Sequence, residues 1–246
     1  NTGNGTISYT GISNTQDGLN FSSAVNLNNS KNGSIILSGT SQAAIGVRFA
    51  AGANVNNAGN GNLSIAGSTN SSSNGVYFAG SPNLINSGNG TLSVLGYGNG
   101  TSGAGVLVAG VTTIVNNGTT GNISVVGYAN NSNNPGLYFT GSVNVTTTSS
   151  GNIDLIGKSY NGSAGLGGLA VTGAGNSLNL TNQGNGSINV FGSSSLSKAI
   201  YIEQGNFNVI NSGNGSINVT GTTATGADVG LNVNNNGYVT IINNGT

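Results

Sequence analysis

One phrase recurs eight times along this chain: a Gly-Asn-Gly-like turn, an aliphatic–polar–aliphatic triplet, and a closing glycine. The copies end at Gly11, Gly39, Gly67, Gly96, Gly127, Gly157, Gly192 and Gly221. The steps between them are 28, 28, 29, 31, 30, 35 and 29 residues. Self-similarity at a nearly fixed period constrains a fold more than any single residue does, because each copy must be one structural unit that stacks on the next. Composition alone argues the other way. Gly fills 45 of 246 positions and charged residues only 3%, a usage that in an unpatterned chain belongs to linkers and low-complexity segments. Yet 35% of the residues are hydrophobic, and they keep fixed phases of the period, which a disordered chain has no reason to do. Glycine is not at every third position, so the chain is not collagen. Gly, Asn, Ser and Thr are poor helix formers, so long helices are not expected.

Three short strand signals recur within each period. Four and two residues before each closing glycine stand Ile7/Tyr9, Ile35/Leu37, Leu63/Ile65, Leu92/Val94, Ile123/Val125, Ile153/Leu155, Ile188/Val190 and Ile217/Val219. The second signal reads Leu19/Phe21, Val47/Phe49, Val76/Phe78, Val106/Val108, Leu137/Phe139, Leu169/Val171, Ile200/Ile202 and Leu231/Val233. The third is weaker: Val25/Leu27, Val55, Leu84, Val115, Val143/Val145, Leu178/Leu180, Phe207/Val209 and Val239/Ile241. Alternation within a strand buries one face and wets the other. Three such strands joined by Gly/Asn/Ser turns close one triangular coil, and stacked coils put equivalent strands side by side in parallel. The expected architecture is all-β: a parallel β-helix, or solenoid, of about eight coils of ~30 residues with three strands per coil. The crossover rule makes it right-handed. Residues 1–246 form a single β-helical repeat domain, and at about 4.8 Å per coil the rod is about 40 Å long. Each coil buries too little by itself to offset the ordering of so much glycine, so its stability depends on its neighbours.

After the third strand comes a column of amides: Asn29, Asn57, Asn86 and Asn117, then Thr147, then Asn182, Asn211 and Asn243. Asparagine suits turns, and stacked amides can hydrogen-bond along an axis, so this column reads as a structural ladder. Asn1 stands in the same phase as Asn86, and neither end carries a polar or helical capping segment. The chain is therefore expected to be an excerpt of a longer rod or a unit that stacks end to end on itself, a fibre in either case.

The chemistry expected of an enzyme is missing. There is no His and no Cys, so a serine nucleophile lacks its usual base and no disulfide or thiolate metal site exists. Asp17, Asp154, Glu203 and Asp228 fall on coils 1, 6, 7 and 8. Asp17 and Asp228 share nearly one phase but stand seven coils, about 34 Å, apart. Paired carboxylates of the kind that β-helical polysaccharide hydrolases need are not formed. Lys158 is the nearest partner in sequence for Asp154, as a weak surface pair. Gly88-Asn89-Gly90 has neither the lysine nor the following helix of a phosphate loop, and the calcium-binding nonapeptide of other β-helices does not occur. The reading is a non-enzyme without cofactors. Four basic against four acidic residues give net zero charge, which offers nothing to nucleic acid. The apolar runs stay short of the roughly 18 residues of a membrane span, so no membrane insertion is expected.

Two outward columns are less bland. Along the second strand runs Asn20, Arg48, Tyr77, Leu107, Tyr138, Ala170, Tyr201 and Asn232. Beside the first strand's closing glycine stand Leu95, Val126, Ile156 and Phe191, with Tyr97 and Tyr128 just past it. Exposed aromatics in register suit stacking on sugars or docking of another protein. The structural alternative is that outward tyrosines favour strands and pack on their ladder neighbours. Asn-x-Ser/Thr triplets recur at one turn position (Asn4, Asn32, Asn89, Asn185 and Asn214) and allow glycosylation where a host has the machinery.

The repeated Gly-Asn-Gly-Ser-Ile-Asn-Val phrase at Gly184–Val190 and Gly213–Val219, on a Cys-free background rich in Asn, Gly, Ser and Thr, resembles the large bacterial exoproteins of the filamentous-haemagglutinin type. These are two-partner-secreted and autotransporter adhesins. The Asn-Pro-Asn-Gly secretion motif of that family is absent, and the coil here is longer. The resemblance implies a structural and adhesive rod segment of a secreted or cell-surface bacterial fibre, of Gram-negative type, touching itself coil on coil and a host-cell, bacterial or glycan surface. The alternative is a self-assembling extracellular filament subunit joined end to end, and a carbohydrate-active enzyme is disfavoured.

Overall fold

A computed structural model describes residues 1–130, 133–160, 166–224 and 229–245. Asp228 therefore lies outside the described residues. Among the described residues, twenty-four strands form three eight-stranded sheets, and each sheet takes one strand from every coil in coil order. All strand pairings between coils are parallel, with a single isolated antiparallel bridge between Thr172 and Gln204 among the described residues, so the chain is the β-solenoid that its period predicts. The first sheet has the longest strands, from Ile7–Ser13 to Ile217–Thr223. The second is narrow, with strands such as Val76–Phe78, and the third holds strands such as Ala53–Asn57.

Register follows the columns read from the sequence. Ile35, Leu63 and Leu92 pair across successive coils of the first sheet, as do Leu37, Ile65 and Val94. In the second sheet Val47, Val76, Val106 and Leu137 make one inward ladder, and Phe49, Phe78, Val108 and Phe139 make the other. The inward side chains of coils 2 to 7, with Phe21 of the first coil, form one continuous axial core. Phe21 and Phe49 stack in it with centroids 4.9 Å apart, and Phe49 and Phe78 are 5.3 Å apart. Ring separations match the coil spacing because the strands themselves set it.

The closing glycine is required by a close approach. It is the third inward position of the first strand, after two aliphatics, and there the first and second sheets nearly touch. A Cβ built on Gly96 would lie 1.9 Å from the Gly105 carbonyl oxygen, and one on Gly127 would lie 1.9 Å from that of Gly136. Both distances are far inside contact range, so the corner is closed by backbone against backbone. The facing position is less strict, since the seventh coil carries buried Ala199 opposite Gly192.

The amide ladder is present, with one correction. The Asn29 side-chain N–H donates to Asn57 Oδ1 at 2.8 Å, and Asn57 donates to Asn86 Oδ1 at 3.1 Å. Asn1 opens the same ladder by donating to Asn29 Oδ1 at 3.0 Å. In the fourth coil, however, the residue in register with Asn86 and Thr147 is Asn116, not Asn117. The same one-residue slip moves Ile114, rather than Val115, into the core beside Leu84 and Val145. The cause is one extra residue in the turn that follows. Asn57 and Asn86 reach the carbonyls four residues on, at Gly61 and Gly90. Asn116 donates to the carbonyl six residues on, Asn122, at 3.2 Å and to Gly90 of the previous coil at 3.1 Å. Where Thr147 replaces the amide, the Thr147 and Ser149 hydroxyls meet at 2.7 Å and Ser149 donates to the Gly121 carbonyl at 2.9 Å. Two hydroxyls do the work of one amide.

Candidate functional site

The outward face of the second sheet begins as expected. Arg48, Tyr77, Leu107 and Tyr138 stand in register on coils 2 to 5. The Arg48 guanidinium lies 3.7 Å from the Asp17 carboxylate and 5.9 Å from the centre of the Tyr77 ring. Asp17 also accepts the Ile45 backbone N–H at 3.1 Å. Arg48 is thus held from both sides, by a pair near the surface worth little energy and by a cation–π contact.

The column then closes. Ala170 is fully buried and Tyr201 is only 6% exposed, so the stripe does not continue outward over coils 6 and 7. The Lys198 ammonium lies 4.5 Å above the Tyr201 ring. Long side chains from a neighbouring turn can lie across a flat strand face and cover it, which alternation along one strand does not reveal. Burial pushes the Tyr201 phenol above its ordinary pKa, and its hydrogen bond to Glu203 adds to the rise, with a smaller opposing effect from Asn234. The fold therefore favours the neutral phenol. That contribution is whole below the ordinary value of 10.0 and is lost as pH climbs through the raised one. In an ultraviolet titration the Tyr201 phenol, identified by its loss in Tyr201→Phe, is expected to ionise above the ordinary value of 10.0. Glu203→Gln should bring it down, and ionisation at or below the ordinary value would contradict this placement.

The first sheet carries the more organised surface. Tyr97 and Tyr128 are adjacent rungs, their rings 4.9 Å apart and tilted by 8°. The next rung is Lys158. Its ammonium sits 5.8 Å from the Tyr128 ring and 5.8 Å from the Phe191 ring. It does not pair with Asp154 as the sequence suggested. Four residues along one strand span about 13 Å, too far for the two side chains to meet, and Asp154 instead accepts the Asn189 side-chain N–H at 2.7 Å. Beside this column stand Leu95, Val126, Ile156 and Phe191, all half-buried and in register. The two expected columns are thus two patches on two sheets. Arg48, Tyr77, Leu107 and Tyr138 make one; Tyr97 and Tyr128, joined by Lys158 and Phe191, make the other.

Next to Tyr97 the surface drops into a shallow cleft of about 150 Å³, floored by the short side chains Ser38, Thr40, Ala66 and Ser68. The Thr40 and Ser68 hydroxyls lie 3.2 Å apart on that floor. Further amide ladders run outside the core. Gln42, Asn70, Asn99 and Asn130 form one, with bonds of 2.7, 3.2 and 2.6 Å. Asn26, Asn54 and Asn83 form another at 2.9 and 3.0 Å. They share the helical phase of the period, a signal the aliphatic columns overshadow. Among the described residues no group of three or more His, Cys, Asp or Glu gathers to hold a metal ion, and no helix is long and apolar enough to cross a membrane. Comparison of the chain with protein-family models, with curated proteins and with solved structures finds no match.

Proposed function

We propose that this chain is a structural and adhesive rod segment of a secreted or cell-surface bacterial fibre, as its likeness to filamentous-haemagglutinin-type exoproteins implies. The observation that carries the reading is the unbroken register of three parallel ladders over all eight coils. Such a molecule has one axial core, each coil touches only its neighbours, and length is a free variable. That is what a projecting fibre needs. Its flanks present the two aromatic patches at fixed spacing, and no catalytic role is assigned. The described carboxylates are engaged structurally and apart: Asp17 with Arg48, Asp154 with Asn189, and Glu203 accepting from Asn235 at 2.8 Å.

The fibre reading is tested by protease shaving of intact producing cells. Peptides from the flanks, including those around Tyr97, are expected to be released from whole cells. Release only after lysis would sink it.

A further inference from the structure

Two outward columns on the first sheet change size abruptly between the third and fourth coils. Ala66 is followed by Leu95, and Ser68 is followed by Tyr97. The step makes the cleft described above, with Tyr97 as its wall. Because Tyr97 stacks on Tyr128 at 4.9 Å and 8°, one face of its ring is covered from the fifth coil. The other face turns toward the third coil, where Ser68 is too short to cover it. Tyr97 is 37% exposed. At the far end of the floor the same column rises again at Ile12, in register with Thr40 and 79% exposed. Three coil spacings, about 14 Å, separate the two walls.

We propose that this cleft binds a neutral pyranose ring, stacked on the open face of Tyr97 with its hydroxyls bonded to Thr40 and Ser68. The inference rests on the adhesive half of the function proposed above and names its ligand class. An aromatic face offers stacking to the apolar side of a sugar ring, while a few placed hydroxyls fix its orientation. The floor supplies those hydroxyls from Ser38, Thr40 and Ser68. An apolar side chain from a protein partner would leave the Thr40 and Ser68 hydroxyls only their bond to each other at 3.2 Å. No ionisable side chain other than the Tyr97 phenol lines the cleft, and Lys158 is held beyond Tyr128. An acidic sugar would find no countercharge there, so the ligand is uncharged.

The test is a titration of ring-labelled tyrosine, followed by NMR, with methyl β-glucoside, methyl β-galactoside and N,N′-diacetylchitobiose as probes. The resonance that vanishes in Tyr97→Ala identifies the ring, and it is expected to shift saturably with at least one probe. By calorimetric titration with the same probes, Tyr97→Phe should bind within about threefold of the parent, and Tyr97→Ala about tenfold more weakly or worse. Ser68→Tyr is the sharper variant. It extends the tyrosine stack by one rung, closes the open face, keeps the fold, and should abolish the shift. No movement of the Tyr97 signal with any probe overturns the proposal, as does binding that survives Ser68→Tyr. So does a shift produced only by a Phe-containing peptide, which would assign the cleft to a protein partner. Failure here with flank peptides still released from whole cells removes this site alone. Failure of the shaving experiment with sugar binding intact removes the fibre and leaves the site.

Discussion

Gly96→Val is expected to keep the chain from forming the solenoid. The Cβ would sit 1.9 Å from the Gly105 carbonyl oxygen, and that oxygen already accepts the Val76 N–H at 2.9 Å. Neither backbone can give way without tearing a ladder, because each is bonded to the coils above and below. Ordinary overpacking in a core costs about 1–3 kcal/mol, relieved by side-chain shifts. Here the obstacle is backbone, so the loss should exceed about 3 kcal/mol. Gly52→Ala is the control, since a Cβ there meets only the Ser81 carbonyl at 3.8 Å. It should stay within about 0.5 kcal/mol of the parent. Urea unfolding followed by circular dichroism compares the two directly. Equal stability of the two variants would mean that the closing glycine does not set the corner.

The second large effect is expected from Asn57→Leu, which keeps the side chain's size and removes its bonds. Asn57 is fully buried; it accepts from Asn29 at 2.8 Å and donates to Asn86 at 3.1 Å and to the Gly61 carbonyl at 2.6 Å. Leucine strands Asn86 Oδ1 and the Gly61 carbonyl in the interior. A buried group left unsatisfied costs about 1–3 kcal/mol, so the variant should lose about 3 kcal/mol or more. The coil with Thr147 shows how the ladder tolerates a change: Ser149 arrives with it and restores the bond to a turn carbonyl. A single substitution has no such partner. If Asn57→Leu unfolds at the parent's urea midpoint, the amide column is decoration and not a support.

The inward columns were legible because each strand is short, alternates, and lies at a constant distance from a glycine that every coil repeats. The distance from that glycine changes once, where the turn after the fourth coil's third strand holds one residue more, so that it points to Asn117 and Val115 in place of Asn116 and Ile114. A nearer landmark existed. Asn57, Asn86, Asn116, Asn182 and Asn211 each stand two residues before a glycine, and that spacing selects Asn116. The reason for the glycine was not legible, since the gap between two sheets exists only once the coil closes. Nor was the burial of Ala170, or that of Tyr201, across which Lys198 reaches from the preceding turn. The aromatic rungs Tyr97 and Tyr128 were found by phase. The cleft beside them was not, because it is made by what the preceding coils lack.

The central claim is that these residues form a rigid rod of stacked coils, and the most direct measurement is negative-stain imaging of the 246-residue chain with light scattering at several concentrations. The account predicts particles of one uniform width and about 40 Å length, single or joined end to end in multiples of that unit. Round particles, or an expanded chain with no defined width, would contradict it.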